Sequence, residues 1–137
     1  MRKKTYLKFL ILIILACAFF ILGVGIESKA LFSNLTGIAS WYSEFSPGIK
    51  KTTANMETFD HDKMTCAMWG IPFNTQVEVT NIANDKKVLV RVNDRGPAKR
   101  LCRKGRIIDL TMAAFKKIET LSTGLANVRI RIIKTQE

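Results

Sequence analysis

Histidine is almost missing from this chain of 137 residues: His61 stands alone, and no Cys-x-x-Cys pair accompanies it. Zinc draws its usual ligands from that set, so the sequence offers no metal site. Tryptophan and tyrosine are also scarce, at two each, and the basic residues lack the interleaved aromatics on which a single-strand nucleic-acid binder stacks bases. Acidic residues are in deficit, 11 against 22 lysines and arginines, for a formal charge of +11. No internal repeat is visible, and the length leaves room for one domain and one core.

What is present begins with a leader. Met1-Arg2-Lys3-Lys4 is basic, and Tyr6 to Ile26 is apolar apart from Lys8, so residues 1–30 read as a signal peptide or membrane anchor. Residues 6–26 are long enough to span a bilayer, which favours an uncleaved anchor, while Ser28-Lys29-Ala30 supplies the small residues of a cleavage site before Leu31. Ile14-Leu15-Ala16-Cys17 looks like a lipobox, but the apolar run continues past Cys17 and fits that reading worst. Each fate places the globular part outside the cytoplasm, in the periplasm, the cell envelope or the medium. Disulfides persist there, so Cys66 and Cys102 are expected to pair, with two thiols as the alternative. Nucleic acid does not suit that compartment. The basic excess that remains after the leader suits anionic wall polymers or phospholipid head groups, or serves solubility alone.

Residues 31–36 read as a spacer and 37–135 as the domain. Gly37 to Tyr42 reads as a strand, and Ser43 to Asp62 dissolves into a long polar loop. A short apolar strand follows at Met64 to Met68. Gln76 to Ile82 and Lys86 to Asn93 alternate with period two about Ala83-Asn84-Asp85, the spacing and chemistry of a hairpin. Arg106 to Leu110 is another strand, Thr111 is placed to cap a helix from Met112 to Ile118, and Asn127 to Lys134 alternates again. Short strands at this density with one or two small helices indicate a compact β-barrel.

Several motifs in this order resemble the rare lipoprotein A family: Gly37-Ile38-Ala39-Ser40-Trp41-Tyr42, Thr53-Ala54-Asn55-Met56-Glu57, Pro72-Phe73-Asn74-Thr75, Val79-Thr80-Asn81, Val90-Arg91-Val92-Asn93-Asp94-Arg95-Gly96-Pro97 and Gly105-Arg106-Ile107-Ile108-Asp109-Leu110. The resemblance implies a six-stranded double-psi β-barrel related to expansins. It also implies an endolytic lytic transglycosylase that cleaves peptidoglycan strands between N-acetylmuramic acid and N-acetylglucosamine, leaving a 1,6-anhydro end, without a cofactor. The barrel domain alone fits the length, and the expected state is a monomer. An expansin-like module that binds the wall without cutting it is the alternative.

Such chemistry needs a carboxylic acid to protonate the leaving oxygen and a base for the attacking hydroxyl. The resemblance points to Asp94 as acid/base and to Glu57 as a second carboxylate that raises its partner's pKa or orients the sugar. A turn residue paired with Arg95 is the alternative for Asp94, and a solvated loop charge that for Glu57. Arg95 is a candidate clamp for a substrate carboxylate, or a structural partner of Asp94 or Asp109. Trp41, Tyr42 and Asn55 are candidates for sugar contact, Trp69 is another stacking surface, and Asp109 reads as structural. Met68 stands where relatives carry a histidine, and methionine transfers no proton. His61 does not align with that position and reads as an exposed loop residue.

Overall fold

The structure is a computed structural model that describes residues 34–134; the leader and its cleavage, anchoring or acylation lie outside the described residues. Strands β1 (Leu35–Tyr42), β2 (Thr65–Ala67), β3 (Gln76–Asn81) and β4 (Lys87–Asp94) precede a short helix α1 (Lys99–Cys102). Then come β5 (Arg106–Thr111), helix α2 (Met112–Lys116), a 3₁₀ turn at Leu121–Thr123 and β6 (Leu125–Lys134). The six strands close into a barrel in the order β1-β5-β2-β4-β3-β6, the architecture that the family resemblance implies.

Period two does most of the work. On β3 and β4 the valines at 77, 79, 88, 90 and 92 turn into the core, while Lys87 and Leu89 face out. The two strands pair antiparallel from Gln76–Arg91 to Thr80–Lys87, so the expected hairpin is present. Asp85 takes a left-handed φ of 57° in its turn, and the side chains of Asn81 and Asn84 accept the backbone N–H groups of Ala83 and Lys86. Ile108 and Leu110 of β5, Val128 and Ile130 of β6, Phe115 of α2 and Ile118 just after it complete the core.

Two pairings are parallel, β1 with β5 and β2 with β4, and each breaks register once: at Ile38/Ala39 and at Cys66/Ala67. Gly37 shows why the first break is tight. Its backbone runs so close to β5 that a β-carbon there would sit 2.7 Å from Ile107 Cγ2 and 2.9 Å from the Gly105 carbonyl oxygen.

Two expectations are corrected. Thr111 does not cap α2, because its hydroxyl donates to the Lys63 carbonyl at 2.6 Å. Cys66 and Cys102 are free thiols rather than a disulfide: Cys66 is buried in the core, and the Cys102 thiol donates to the Pro97 carbonyl at 3.3 Å. Helix α1 was not anticipated, since its four residues are mostly charged and show no apolar period.

Replacing Gly37 with alanine forces β1 from β5 and is expected to destabilise the domain by roughly 1–3 kcal/mol, read as a lower urea midpoint.

Candidate functional site

Strand pairing assembles the site. Ala67 on β2 is paired with Asp94 on β4 and with Asp109 on β5, and Asp109 is paired in turn with Ser40 on β1. Neighbouring strands lie about 4.8 Å apart, so the two aspartate backbones are about 10 Å apart with an alanine between them. The break at Cys66/Ala67 matters here: Cys66 pairs with Val92 and Ala67 with Asp94, so Asn93 is skipped and Asp94 is brought onto the row. A β-carbon on Gly96 would lie 3.0 Å from that of Ala67 and 3.3 Å from Asp109 Oδ2. The Asp-Arg-Gly-Pro turn thus folds back against the second carboxyl, and glycine permits the approach.

Asp94 Oδ1 accepts the N–H groups of Ala54 and Arg95, each at 2.8 Å. Ala54 belongs to the turn Thr53–Glu57, which is stitched by Thr53 N–H to the Glu57 carbonyl at 2.9 Å and by Asn55 N–H to the Asn93 carbonyl at 3.2 Å. Glu57 fastens that turn. Arg91 donates to both of its carboxylate oxygens, at 2.7 and 2.8 Å, and the Asn55 and Asn93 amides add bonds at 2.8 and 3.0 Å. The Arg91 hydrogen bonds pull the Glu57 carboxyl down from its ordinary 4.5 to about 2, with Asn93 and Asn55 assisting. The charge of Glu57 is matched by the Arg91 guanidinium in a bidentate pair. Arg91, unmarked by the sequence reading, is the residue that positions it.

Asp109 is set differently. Its Oδ1 accepts the Ser40 hydroxyl, and burial pushes its carboxyl above the ordinary value, with the charge of Asp94 adding and Ser40 and Arg106 opposing. The structural reading of Asp109 therefore misses a second carboxyl beside the first. The available signal was an acidic residue directly after two isoleucines in a strand.

The other candidates divide. Arg95 is committed to the protein: one nitrogen donates to the Met68 and Ile71 carbonyls at 2.9 Å each, and the guanidinium lies 3.7 Å from the centre of the Phe73 ring. It forms no ion pair with Asp94 or Asp109, and its bonds hold the Met68–Ile71 loop against the turn. Trp41 donates to the Leu121 carbonyl at 3.1 Å and packs on the core. Tyr42 is buried and stacked on Phe59 at 4.7 Å; its hydroxyl has no partner among the described residues, and burial and then the charge of Asp94 push its pKa up. Asn55 spends its side chain on Thr53 and Glu57. Met68 is in the core, so only its backbone serves the site, through N–H to the Asp94 carbonyl at 3.1 Å. His61 is more enclosed than expected, with Nδ1 3.6 Å from Glu44 Oε1.

A cleft of about 550 Å³ opens onto Asp94 and Arg95 and is lined by the loop from Gly48 to Met56. A neighbouring recess shares Ile49 and Lys50 with it. Met56 on this loop and Phe45 beside the neighbouring recess are exposed apolar side chains, at 81 % and 83 %.

The family described as lytic transglycolase matches residues 34–130. The endolytic peptidoglycan transglycosylase RlpA of Campylobacter jejuni is 44% identical over 105 residues, which are 76% of this chain and 36% of the relative. The protein of that name from Vibrio cholerae is 46% identical over 98 residues, 72% of this chain and 35% of the relative. The chain thus spans about a third of the length of these relatives. Among solved structures, an expansin of Clavibacter michiganensis shares the fold at a TM-score of 0.57 and 20% identity, over 76% of this chain and 52% of the expansin.

The Glu57 shift has a signed consequence. Its folded pKa is depressed, so the stabilisation by Arg91 is present above pH 4.5 and is lost as pH falls from there towards 2. Urea midpoints measured through that window are expected to fall more steeply for the wild type than for Glu57→Gln.

Proposed function

The chain belongs to the lytic transglycolase family, and on that premise we propose that it cleaves peptidoglycan strands between N-acetylmuramic acid and N-acetylglucosamine without water. Two carboxyls flanking Ala67, one held by backbone N–H groups and the other half-buried, carry this reading. The sugar at the cleavage point lies over Ala67 and Gly96, the small residues between them. Asp109, whose burial favours the protonated form, gives its proton to the glycosidic oxygen, which leaves as the 4-hydroxyl of N-acetylglucosamine. Asp94 Oδ2, which makes no hydrogen bond among the described residues, takes the proton of the muramoyl 6-hydroxyl as that oxygen bonds to C1. The bond to the leaving sugar breaks, a 1,6-anhydro ring closes, and the proton passed from Asp109 is balanced by the one gained at Asp94.

Met68 removes the histidine of relatives, and the carboxyl pair supplies both proton transfers in its place. Glu57 and Arg91 act as positioning residues by holding Ala54 N–H on Asp94. The leader, as a signal or anchor, delivers the domain to the cell envelope.

Purified peptidoglycan incubated with the full chain should release fragments ending in 1,6-anhydro-muramic acid, identified by mass. Asp94→Asn and Asp109→Asn are each expected to lower the rate by about 100-fold or more while the fold persists. Retention of the chain on insoluble peptidoglycan with no anhydro product would leave wall binding without turnover, as in the expansin-like alternative.

A further inference from the structure

Side chains on β1 alternate between two sides of the barrel wall. Ala39 and Trp41 pack with the main core, whereas Ser40 and Tyr42 turn to the other side, where Ser40 gives its hydroxyl to Asp109 Oδ1. Tyr42 stands two residues along from a group that already serves the site. β5 repeats the pattern opposite: Ser40 is paired with Asp109 and Tyr42 with Thr111, while Ile108 and Leu110 fill the core. On this second side Tyr42, Phe59 and Ala67 form a small apolar cluster of their own, apart from the main core. The Tyr42–Phe59 pair thus packs with the residue that lies between Asp94 and Asp109.

Its hydroxyl is the anomaly. Tyr42 is 8% exposed and its oxygen finds no partner among the described residues, an arrangement that costs free energy and that native folds keep rare. The ring is not free to turn away. It is stacked on Phe59 at 4.7 Å with the planes 14° apart, and Phe59 is itself fixed by its N–H on the Lys51 carbonyl at 2.8 Å. Burial first, then the charge of Asp94, then Cys66 and Asp109 push the phenol up, so it stays protonated and available as a donor. Asp94 Oδ1 takes the N–H groups of Ala54 and Arg95, and among the described residues Oδ2 takes none. A donor without an acceptor thus lies in the field of an acceptor oxygen without a donor.

We propose that Tyr42 is a positioning residue of the cleavage site, whose hydroxyl donates to the free Asp94 oxygen and holds that carboxylate as an aimed, accepting anion, a contact that tightens as the glycan seats over Ala67. The proposal rests on the glycan-cleaving reading above, in which Asp94 accepts the proton of the 6-hydroxyl. A hydrogen bond to the charged form of a carboxylate favours that form, and one phenol leaves a second lone pair of the oxygen open for the incoming proton. Bonds of this kind are commonly long without substrate and close when it arrives. The other groups around Asp94 leave the role unfilled. Arg95 turns its guanidinium to the Met68 and Ile71 carbonyls, and Glu57 on the adjacent turn is matched by Arg91. Asp109 is itself an acid, and Cys66 is held in the core, where burial opposes ionisation of its thiol.

Tyr42→Phe removes one oxygen and keeps the aromatic stack, so the test compares it with the wild type in the full chain. Its urea midpoint is expected at or slightly above that of the wild type, because the lost hydroxyl had no partner in the fold. On solubilised peptidoglycan, kcat for anhydro-muramoyl release is expected to fall about tenfold with KM nearly unchanged, and the acid limb of the kcat profile to move about one unit to higher pH. The sign follows from the lost donor: without it the anion is less favoured, and a higher pH is needed to form it. Carbon NMR of aspartate-labelled protein gives a readout independent of turnover, in which the Asp94 carboxyl titrates at higher pH in Tyr42→Phe. A purely structural hydroxyl would lower the urea midpoint and leave the pH profile and the Asp94 titration in place. An inert one would change none of the three, and either result overturns the proposal. If the wild-type chain yields no anhydro product but the Asp94 titration still moves in Tyr42→Phe, the cleavage reading falls and the assignment of Tyr42 to Asp94 stands.

Discussion

Ala67 is hydrogen-bonded into the barrel between Asp94 and Asp109, and that position decides what the site is capable of. β2 is only three residues long, yet it is the strand that separates the two acidic strands. Its side chain at 67 is small, so the gap between the carboxyls stays open, and Gly96 folds against it where any β-carbon would press on Ala67 and crowd Asp109. The register break just before Ala67 completes the arrangement, because an unbroken ladder would set Asn93 opposite it and move Asp94 off the row.

Charge is then distributed unequally over the acidic groups. Glu57 meets a bidentate arginine and two amides, so it is locked as an anion and used as a fastener. Asp109 is half-buried with a serine hydroxyl on one oxygen, and its partial burial raises its carboxyl above the ordinary value. Arg95, the charge closest in sequence to Asp94, bonds the Met68 and Ile71 carbonyls and lies over the Phe73 ring, and among the described residues Asp94 has no cationic partner. That separation leaves two carboxyls in different surroundings within one small site.

The strands were legible because their signals are local: alternation in β3 and β4, the polar turn between them, and the aromatic run of β1 each act within a few residues. The placement of Asp109 two strands from Asp94 was not legible, because it comes from β2 lying between β4 and β5, a pairing of strands distant in sequence. The partners of Glu57 and Arg95 were hidden for a related reason: nothing in sequence says that Arg91 reaches Glu57, or that Arg95 turns to carbonyls rather than to the neighbouring carboxylate. An even number of cysteines suggested a bridge, but a thiol directed into the core and another bonded to Pro97 are separated by their surroundings. Cationic α1 carries no apolar period, so its fixed backbone shows only in the fold.

The most direct measurement is the titration of the Asp109 carboxyl by carbon NMR with selective labelling, in the wild type and in Asp94→Asn. An Asp109 pKa above that of an ordinary aspartate, falling when the Asp94 charge is removed, is the expected result. A titration at or below the ordinary value that does not respond to Asp94→Asn would contradict the pairing of a protonated and an accepting carboxyl across Ala67.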